Sequence, residues 1–455
     1  MRKHNRSMLE GPLFSNILLY TLPIMATSIL QLLFNAADLV VVGQFRGPDA
    51  VAAVGATGAL TALIVNLFIG LSVGAGVTVA HGLGGQQDAS VHKTVHSSLL
   101  LALGSGVVLT TVGVLFSGKF LQMMGTDKDV LPLSTLYMKI YFGGITFTMV
   151  YNFCASILRA AGDTKSPLLF LLIAGVVNVG LNVIFITVFG MNVDGVALAT
   201  VISQAISAIL VVIALMRRTD ACKLQLSKLR FYGAQVKKIL SIGIPAGIQS
   251  SLFSISNVMI QSSINSFGKV VMAGHAAAGN LEGFVYVLQN AFQQTAVNFI
   301  GQNAGAHQFD RIKKIFRTCL IMVAITGILS GGLMFLFGRT LLGIYLPNAN
   351  DAIDFGILRL AMVGIPYFIC GLMDVSTGGL RGLGSSVAPM IISILGVCGI
   401  RLFWIFTIFP LPQFHSPEWL YFSYIISWTI TFIIQFITFI SVYKKEKSKY
   451  KLSHI

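Results

Sequence analysis

Twelve stretches of this sequence run for about 20 residues or more with few charges, long enough to cross the hydrocarbon core of a bilayer as α-helices. They occupy residues 15–42, 50–80, 95–117, 132–157, 167–189, 193–216, 239–266, 271–301, 315–337, 353–379, 386–409 and 418–442. Backbone amides have no water to bond inside lipid, so such stretches must satisfy themselves as helices. The runs are continuous rather than alternating, which excludes an outer-membrane barrel. Charged residues make up only 10% of the chain, against about 25% in soluble domains. A soluble enzyme, a disordered chain and a disulfide scaffold are therefore excluded. Cys154, Cys222, Cys319, Cys370 and Cys398 show no CxxC spacing and read as free buried thiols, with no zinc site. The first run, from about Leu13 to Val42, outlasts a signal-peptide core of about 7–15 residues and contains Gln31, Asn35 and Asp38. It reads as an uncleaved first membrane helix.

The net charge of +15 is set between the apolar runs. With the N-terminus inside, 23 of the 31 Lys and Arg residues fall on the cytoplasmic side, including Arg2, Lys3 and Arg6. Five fall outside (Arg46, Lys119, Lys128, Lys269 and Arg339), and Lys139, Arg359 and Arg401 lie within segments. This asymmetry fits twelve spans with both termini cytoplasmic, in a multi-pass protein of the plasma membrane. It makes nucleic acid an unneeded explanation of the basic charge. A monomer is expected.

The chain also repeats itself. Leu158, Arg159, Gly162 and Pro167 recur 222 residues later as Leu380, Arg381, Gly384 and Pro389, and Pro23 recurs as Pro245. Gly84 and Gly305 stand 221 apart. The expected fold is thus an all-α polytopic membrane protein of two six-helix bundles, 1–216 and 239–443. A basic cytoplasmic linker (217–238) joins them, and a basic cytoplasmic tail (444–455) follows. Six is even, so the two bundles share an orientation and are related by a pseudo-two-fold along the membrane normal, a plan suited to alternating access.

Several motifs resemble those of the multidrug and toxic compound extrusion (MATE) family. They are Phe34-Asn35-Ala36-Ala37-Asp38 with Val42-Gly43, Gly82-Leu83-Gly84-Gly85, Gly301-Gln302-Asn303-Ala304-Gly305-Ala306, and the two Leu-Arg-x-x-Gly turns. The resemblance covers nearly the whole chain. It implies a secondary active antiporter, not an enzyme: sodium ions or protons enter, and small amphipathic, often cationic compounds leave. Beyond the coupling ion no cofactor is implied. The resemblance makes Asp38 a coupling-ion ligand or proton carrier, and bending at Pro23 an accompaniment of transport. Some family members carry a second acid where this chain has Asn182, and an acid on helix 7, where this chain has only Gln249 and Gln261.

An intramembrane acid costs about 2.5–3.5 kcal/mol on insertion scales and is a functional candidate by default. Three acids lie mid-segment: Asp38, Glu282 and Asp374. Asn178 and Asn182, four apart, share one helix face. With Thr200 and Asn152 they offer Asp38 an all-oxygen cation site. Glu282 belongs to a polar series with Gln289, Asn290, Gln293 and Gln294 that must line a cavity or a seam. It is the candidate for the missing helix-7 acid, as substrate counter-ion or proton carrier. Arg401 needs a partner, for which Asp374 or Glu282 is the nearest supply of charge, either as a structural ion pair of the second bundle or as a proton-sensitive switch that Arg401 biases. Pro23 and Pro245 can kink their helices.

Other features read more plainly. Gly70-Leu71-Ser72-Val73-Gly74-Ala75-Gly76 imitates a phosphate loop but lies in an apolar helix, where close packing of small residues is expected. His92 and His96 read as a solvated helix start. A lipid-linked saccharide flippase is the alternative function, disfavoured by the scarcity of basic residues within segments. A membrane-embedded enzyme is more remote, since GxGD, HExxH and GxSxG patterns are absent.

Overall fold

A computed structural model describes residues 8–347 and 349–452; Arg2, Lys3 and Arg6 lie outside the described residues. The first half holds α1 (Leu13–Arg46), α2 (Pro48–Gly84), α3 (Asp88–Met123), α4 (Leu131–Gly143), α5 (Ile145–Ala160), α6 (Lys165–Thr187) and α7 (Val193–Met216). The second holds α8 (Gly233–Asn265), α9 (Lys269–Gly305), α10 (Phe309–Leu336), α11 (Gly338–Tyr345), α12 (Asn350–Arg359) and α13 (Tyr367–Gly382). It ends with α14 (Val387–Ser393), α15 (Ile400–Phe403) and α16 (Pro417–Leu452). Short π-helical turns at Leu360–Gly364, Ile394–Gly399 and Trp404–Ile408 extend α12, α14 and α15.

Nine helices among the described residues are long and apolar enough to cross a bilayer alone, and two bent pairs raise the number to eleven. The remaining expected span is α9. It has the length, 37 residues, but His275, Asn280, Glu282, Gln289, Asn290, Gln293, Gln294 and Asn298 lower its hydropathy. The bent pairs are α4 with α5 (47°) and Asn350–Gly364 with α13 (40°). The bends fall at Gly144 and at Pro366, again 222 residues apart, so the repeat extends to the breaks in its fourth helices. The turn glycines explain another repeated motif: Gly162 and Gly384 adopt φ of 89° and 85°, a left-handed conformation that a β-carbon disfavours.

The chain forms two compact units. Unit 1 contains Ala26–Gly247, and unit 2 contains Met8–Met25 with Ile248–Ile455. The boundaries differ from a division at 216 and 239, because α1 and α8 each begin in one unit and finish in the other. Both changes of unit follow a proline closely, after Pro23 and after Pro245. Neither proline breaks its helix, though each removes one backbone donor.

In unit 1, α2 and the start of α8 meet through glycines, the reading expected for Gly70–Gly76. A β-carbon on Gly70 would lie 2.2 Å from Gly247 N, and one on Gly247 would lie 2.1 Å from Leu67 O. Backbone cannot retreat as a side chain can. Gly247→Ala is therefore expected to cost about 1–3 kcal/mol by overpacking, read as a lower melting temperature of the purified protein. An unchanged melting curve would show that the two helices part freely.

The segment after α7 is held against unit 1. His96 is fully buried, contrary to the solvated start expected of it. Its Nδ1 meets His92 O at 2.7 Å, and its Nε2 meets Gln225 O at 3.0 Å. Arg218 closes on Asp220, its Nε donating at 2.9 and 3.1 Å. Partial burial of Asp220 favours the neutral acid, but donors from Arg218 and the Cys222 amide outweigh it and hold the carboxyl below its usual range. All five cysteines are buried and free.

Candidate functional site

Unit 1 gathers one carboxylate, two amides and a hydroxyl into a closed ring. Gly175 admits the edge of Phe34: a β-carbon there would lie 1.8 Å from Phe34 Cε2. That approach brings α1 onto α6 one turn before both Asp38 and Asn178. Asn182 Nδ2 then donates to Asp38 Oδ1 at 2.5 Å and to Asn178 Oδ1 at 3.3 Å. Asn178 Nδ2 donates to Thr200 Oγ1 at 3.4 Å. Thr200 Oγ1, on α7, lies 3.5 Å from Asp38 Oδ2 and donates to Val196 O at 2.9 Å. Asp38, Asn178 and Asn182 are buried.

One atom of the ring stands out. Asn182 Oδ1 is buried and has no hydrogen-bond partner, and an unmatched buried acceptor costs about 1–3 kcal/mol. It lies on the side chain that touches Asp38. Turned so that Oδ1 faces Asp38, the Asn182 amide would join the oxygens of Asp38, Asn178 and Thr200 as an all-oxygen donor set of the kind a hard monovalent cation takes. Among the described residues no three His, Cys, Asp or Glu side chains come together, so this oxygen set rests on a single carboxylate. Asn152 does not join. Its Nδ2 donates to Thr148 O within its own helix at 2.8 Å.

Unit 2 holds a different construction. Arg359 grips Glu282 with both arms, Nε to Oε1 at 2.9 Å and Nη2 to Oε2 at 2.7 Å. Its Nη1 meets His275 Nε2 at 2.5 Å and donates to His275 O at 3.2 Å. His275 Nδ1 continues to Tyr421 OH at 3.2 Å. All four side chains are buried. His275 and Glu282 are seven residues apart and share a face of α9, the signal in the sequence that a cation must lie opposite.

Arg401 takes neither expected acid. Its guanidinium lies 4.1 Å from the Tyr424 ring centroid and 5.6 Å from that of Trp428. Its Nε donates to Ser427 Oγ at 3.1 Å and its Nη1 to Asn257 Oδ1 at 3.4 Å. A desolvated cation over an aromatic face gains about 2 kcal/mol, and the two rings act here together with the Ser427 and Asn257 oxygens. Asp374 is buried, and among the described residues no hydrogen bond or ion pair reaches its carboxylate. Arg381, seven residues on along α13, is the cation nearest it in charge interaction. Arg381 Nη2 instead donates to Gln249 Oε1 at 2.8 Å, and Gln249 and Gln435 both donate to Ser393 Oγ at 2.8 Å. Gln249 alone marks this buried chain in the sequence, since its other members are far apart along the chain. Gln289 is fully buried with both amide atoms unpartnered.

A family profile described as MatE matches residues 23–184 and again residues 245–407. The chain is 27% identical over 394 residues to the probable multidrug resistance protein YoeA of Bacillus subtilis (strain 168), covering 84% of each. It is 22% identical to the multidrug export protein MepA of Staphylococcus aureus (strain MSSA476), covering 85% of each. Among solved structures, a MOP superfamily transporter from Pyrococcus furiosus superposes with a TM-score of 0.91 at 20% identity, over 98% of this chain and 99% of that one.

Proposed function

Because the chain belongs to the MatE family of multi-pass membrane transporters, we propose that it is a cation-coupled antiporter that exports small amphipathic, often cationic compounds by alternating access. The coarser statement, a membrane transporter of the multidrug-efflux type, rests on the two family matches and on full-length relatives named for multidrug resistance and export. The finer reading rests chiefly on the closed ring around Asp38 with its unpartnered Asn182 oxygen.

In this reading Asp38 supplies the charge that holds the coupling ion, sodium or proton. Asn178, Asn182 and Thr200 supply neutral oxygens that replace its water. In the present pattern Asn182 Nδ2 donates to the carboxylate, while the Thr200 hydroxyl gives its one proton to Val196 O and leaves its oxygen toward Asp38. A protonated Asp38 needs an acceptor instead, and a half-turn of the Asn182 amide offers Oδ1. The same four groups thus have one arrangement for each coupling state.

Helix α1 carries this difference onward. Its first half packs in unit 2: Thr21 Oγ1 lies 2.8 Å from Thr295 Oγ1, Tyr20 meets Phe299 edge-on, and Asn303 Nδ2 donates to Met8 O at 3.1 Å. Asp38 stands on the second half, in unit 1, with Pro23 at the change. A bias between two states requires a ligand that prefers one of them, and an ion on Asp38 acts on the helix common to both units. Asp374, which no hydrogen bond or ion pair reaches among the described residues and on which only the charge of Arg381 acts, is assigned the contact with a cationic compound. Glu282, with both oxygens committed to Arg359, is assigned to holding unit 2 together.

The experiment is efflux of a panel of cationic dyes from energised cells with and without the protein. Expression is expected to lower dye retention and raise tolerance to the same compounds. Equal retention of every dye would overturn the proposal.

A further inference from the structure

One cleft lies at the end of unit 2 and is unrelated to the Asp38 ring. Its volume is about 530 Å³, and it opens between the start of α10 and the end of α16. Lys314, Lys447, Lys451 and Arg311 line it, with Asp310 as its only carboxylate. Asp310 is matched to one cation: Lys447 Nζ lies 2.8 Å from Asp310 Oδ1. Arg311 is directed at neutral groups, donating to Met8 O at 3.3 Å, Glu10 O at 2.8 Å and Gly11 O at 3.2 Å. These carbonyls position its charge without cancelling it, and the Glu10 carboxylate acts on it through space. Lys314 and Lys451 are exposed and enter no ion pair among the described residues. The cleft thus carries a surplus of positive charge on a fixed frame.

The frame is aromatic. His307 has φ of 56°, and its ring stacks on Tyr450 with centroids 4.4 Å apart and planes 17° apart. Phe309 meets Tyr443 and Tyr450 at 6.2 and 5.9 Å. The cleft also sits where both helices leave their apolar lengths. α10 turns apolar after Arg317, and α16 turns basic after Tyr443. Aromatic rings and lysines at that level are the furniture of a membrane–water interface, and basic clefts there suit anionic headgroups.

We propose that this cleft binds the phosphate of an anionic phospholipid headgroup, held by Lys314, Lys451 and Arg311, with Asp310 as the gate that keeps Lys447 occupied. Free phosphate offers the same chemistry without acyl chains and is the competing source. The proposal predicts opposite effects from two kinds of substitution. Removing Lys314 and Lys451 weakens binding. Removing Asp310 frees Lys447 and strengthens it, a gain that misfolding cannot produce.

The test titrates the full-length protein in mild detergent with phosphatidylglycerol, phosphatidylcholine and inorganic phosphate, counting bound ligand by native mass spectrometry. Each lysine near an anionic headgroup is worth about fivefold in affinity, so K314Q with K451Q is expected to weaken phosphatidylglycerol about 30-fold. D310N is expected to tighten it about fivefold, and phosphatidylcholine is expected to ignore both changes. Unchanged phosphatidylglycerol binding in the double variant overturns the proposal, as does weaker binding in D310N. Inorganic phosphate binding as tightly as the lipid also overturns it, by making the ligand a soluble ion.

Discussion

Asp38→Asn is expected to abolish driven export while leaving the protein folded. The substitution is nearly isosteric, and an asparagine oxygen can still accept from Asn182 at the position of Asp38 Oδ1. What disappears is the charge. Two opposite charges about 4 Å apart attract by about 4 kcal/mol at an effective dielectric near 20. Desolvation of the ion offsets part of this, leaving a loss of roughly two orders of magnitude in cation affinity. The ring contains no second acid to compensate, because Asn182 is an amide. Dye efflux from proteoliposomes should fall to the passive leak at every gradient tested, with the melting temperature unchanged. Asn178→Leu removes one neutral oxygen and should give a smaller loss. If Asp38→Asn instead exported at the wild-type rate, the ring would be structural.

The second large effect concerns stability. Arg359→Met strands Glu282, and Glu282→Leu strands Arg359; all partners are buried in unit 2. Breaking a buried pair from one side costs about 3–5 kcal/mol, whereas replacing both members by apolar residues is often neutral. Each single variant should therefore melt about 6–20 °C below the wild type, and the double variant should recover most of that loss. Tryptophan fluorescence is a suitable monitor, since Trp404, Trp419 and Trp428 all lie in unit 2. Single variants as stable as the wild type would remove the structural role assigned to Glu282 and return it to the candidates for proton transfer.

The helical plan was legible because lipid leaves the backbone so few options. Apolar runs mark the spans, and the 222-residue offset marks the repeat down to the paired breaks at Gly144 and Pro366. The unit boundaries were less visible. Whether the first half of α1 packs with its own half or the other depends on contacts such as Thr21 with Thr295, which no local pattern encodes. The same split runs through the site. Asn178 and Asn182 could be paired from their spacing alone, and Asp38 and Thr200 were the polar groups left to meet them. Asn152 looked equally suitable, but helix rotation turned it to its own backbone. Arg401 departs from the expected carboxylate partner because aromatic faces also attract a cation. Tyr424 and Trp428, on one face of α16, satisfy it. Arg359 is visible as an arginine inside a segment, yet its two partners, Glu282 and His275, lie 77 and 84 positions away.

The ring's role is tested most directly by reconstituting wild-type protein and Asp38→Asn in sealed vesicles and imposing either a sodium gradient or a pH gradient at fixed voltage. Cargo should move uphill in the wild type under at least one gradient, and under neither in the variant. Uphill movement by the Asp38→Asn protein, or wild-type movement indifferent to both gradients, would contradict the account.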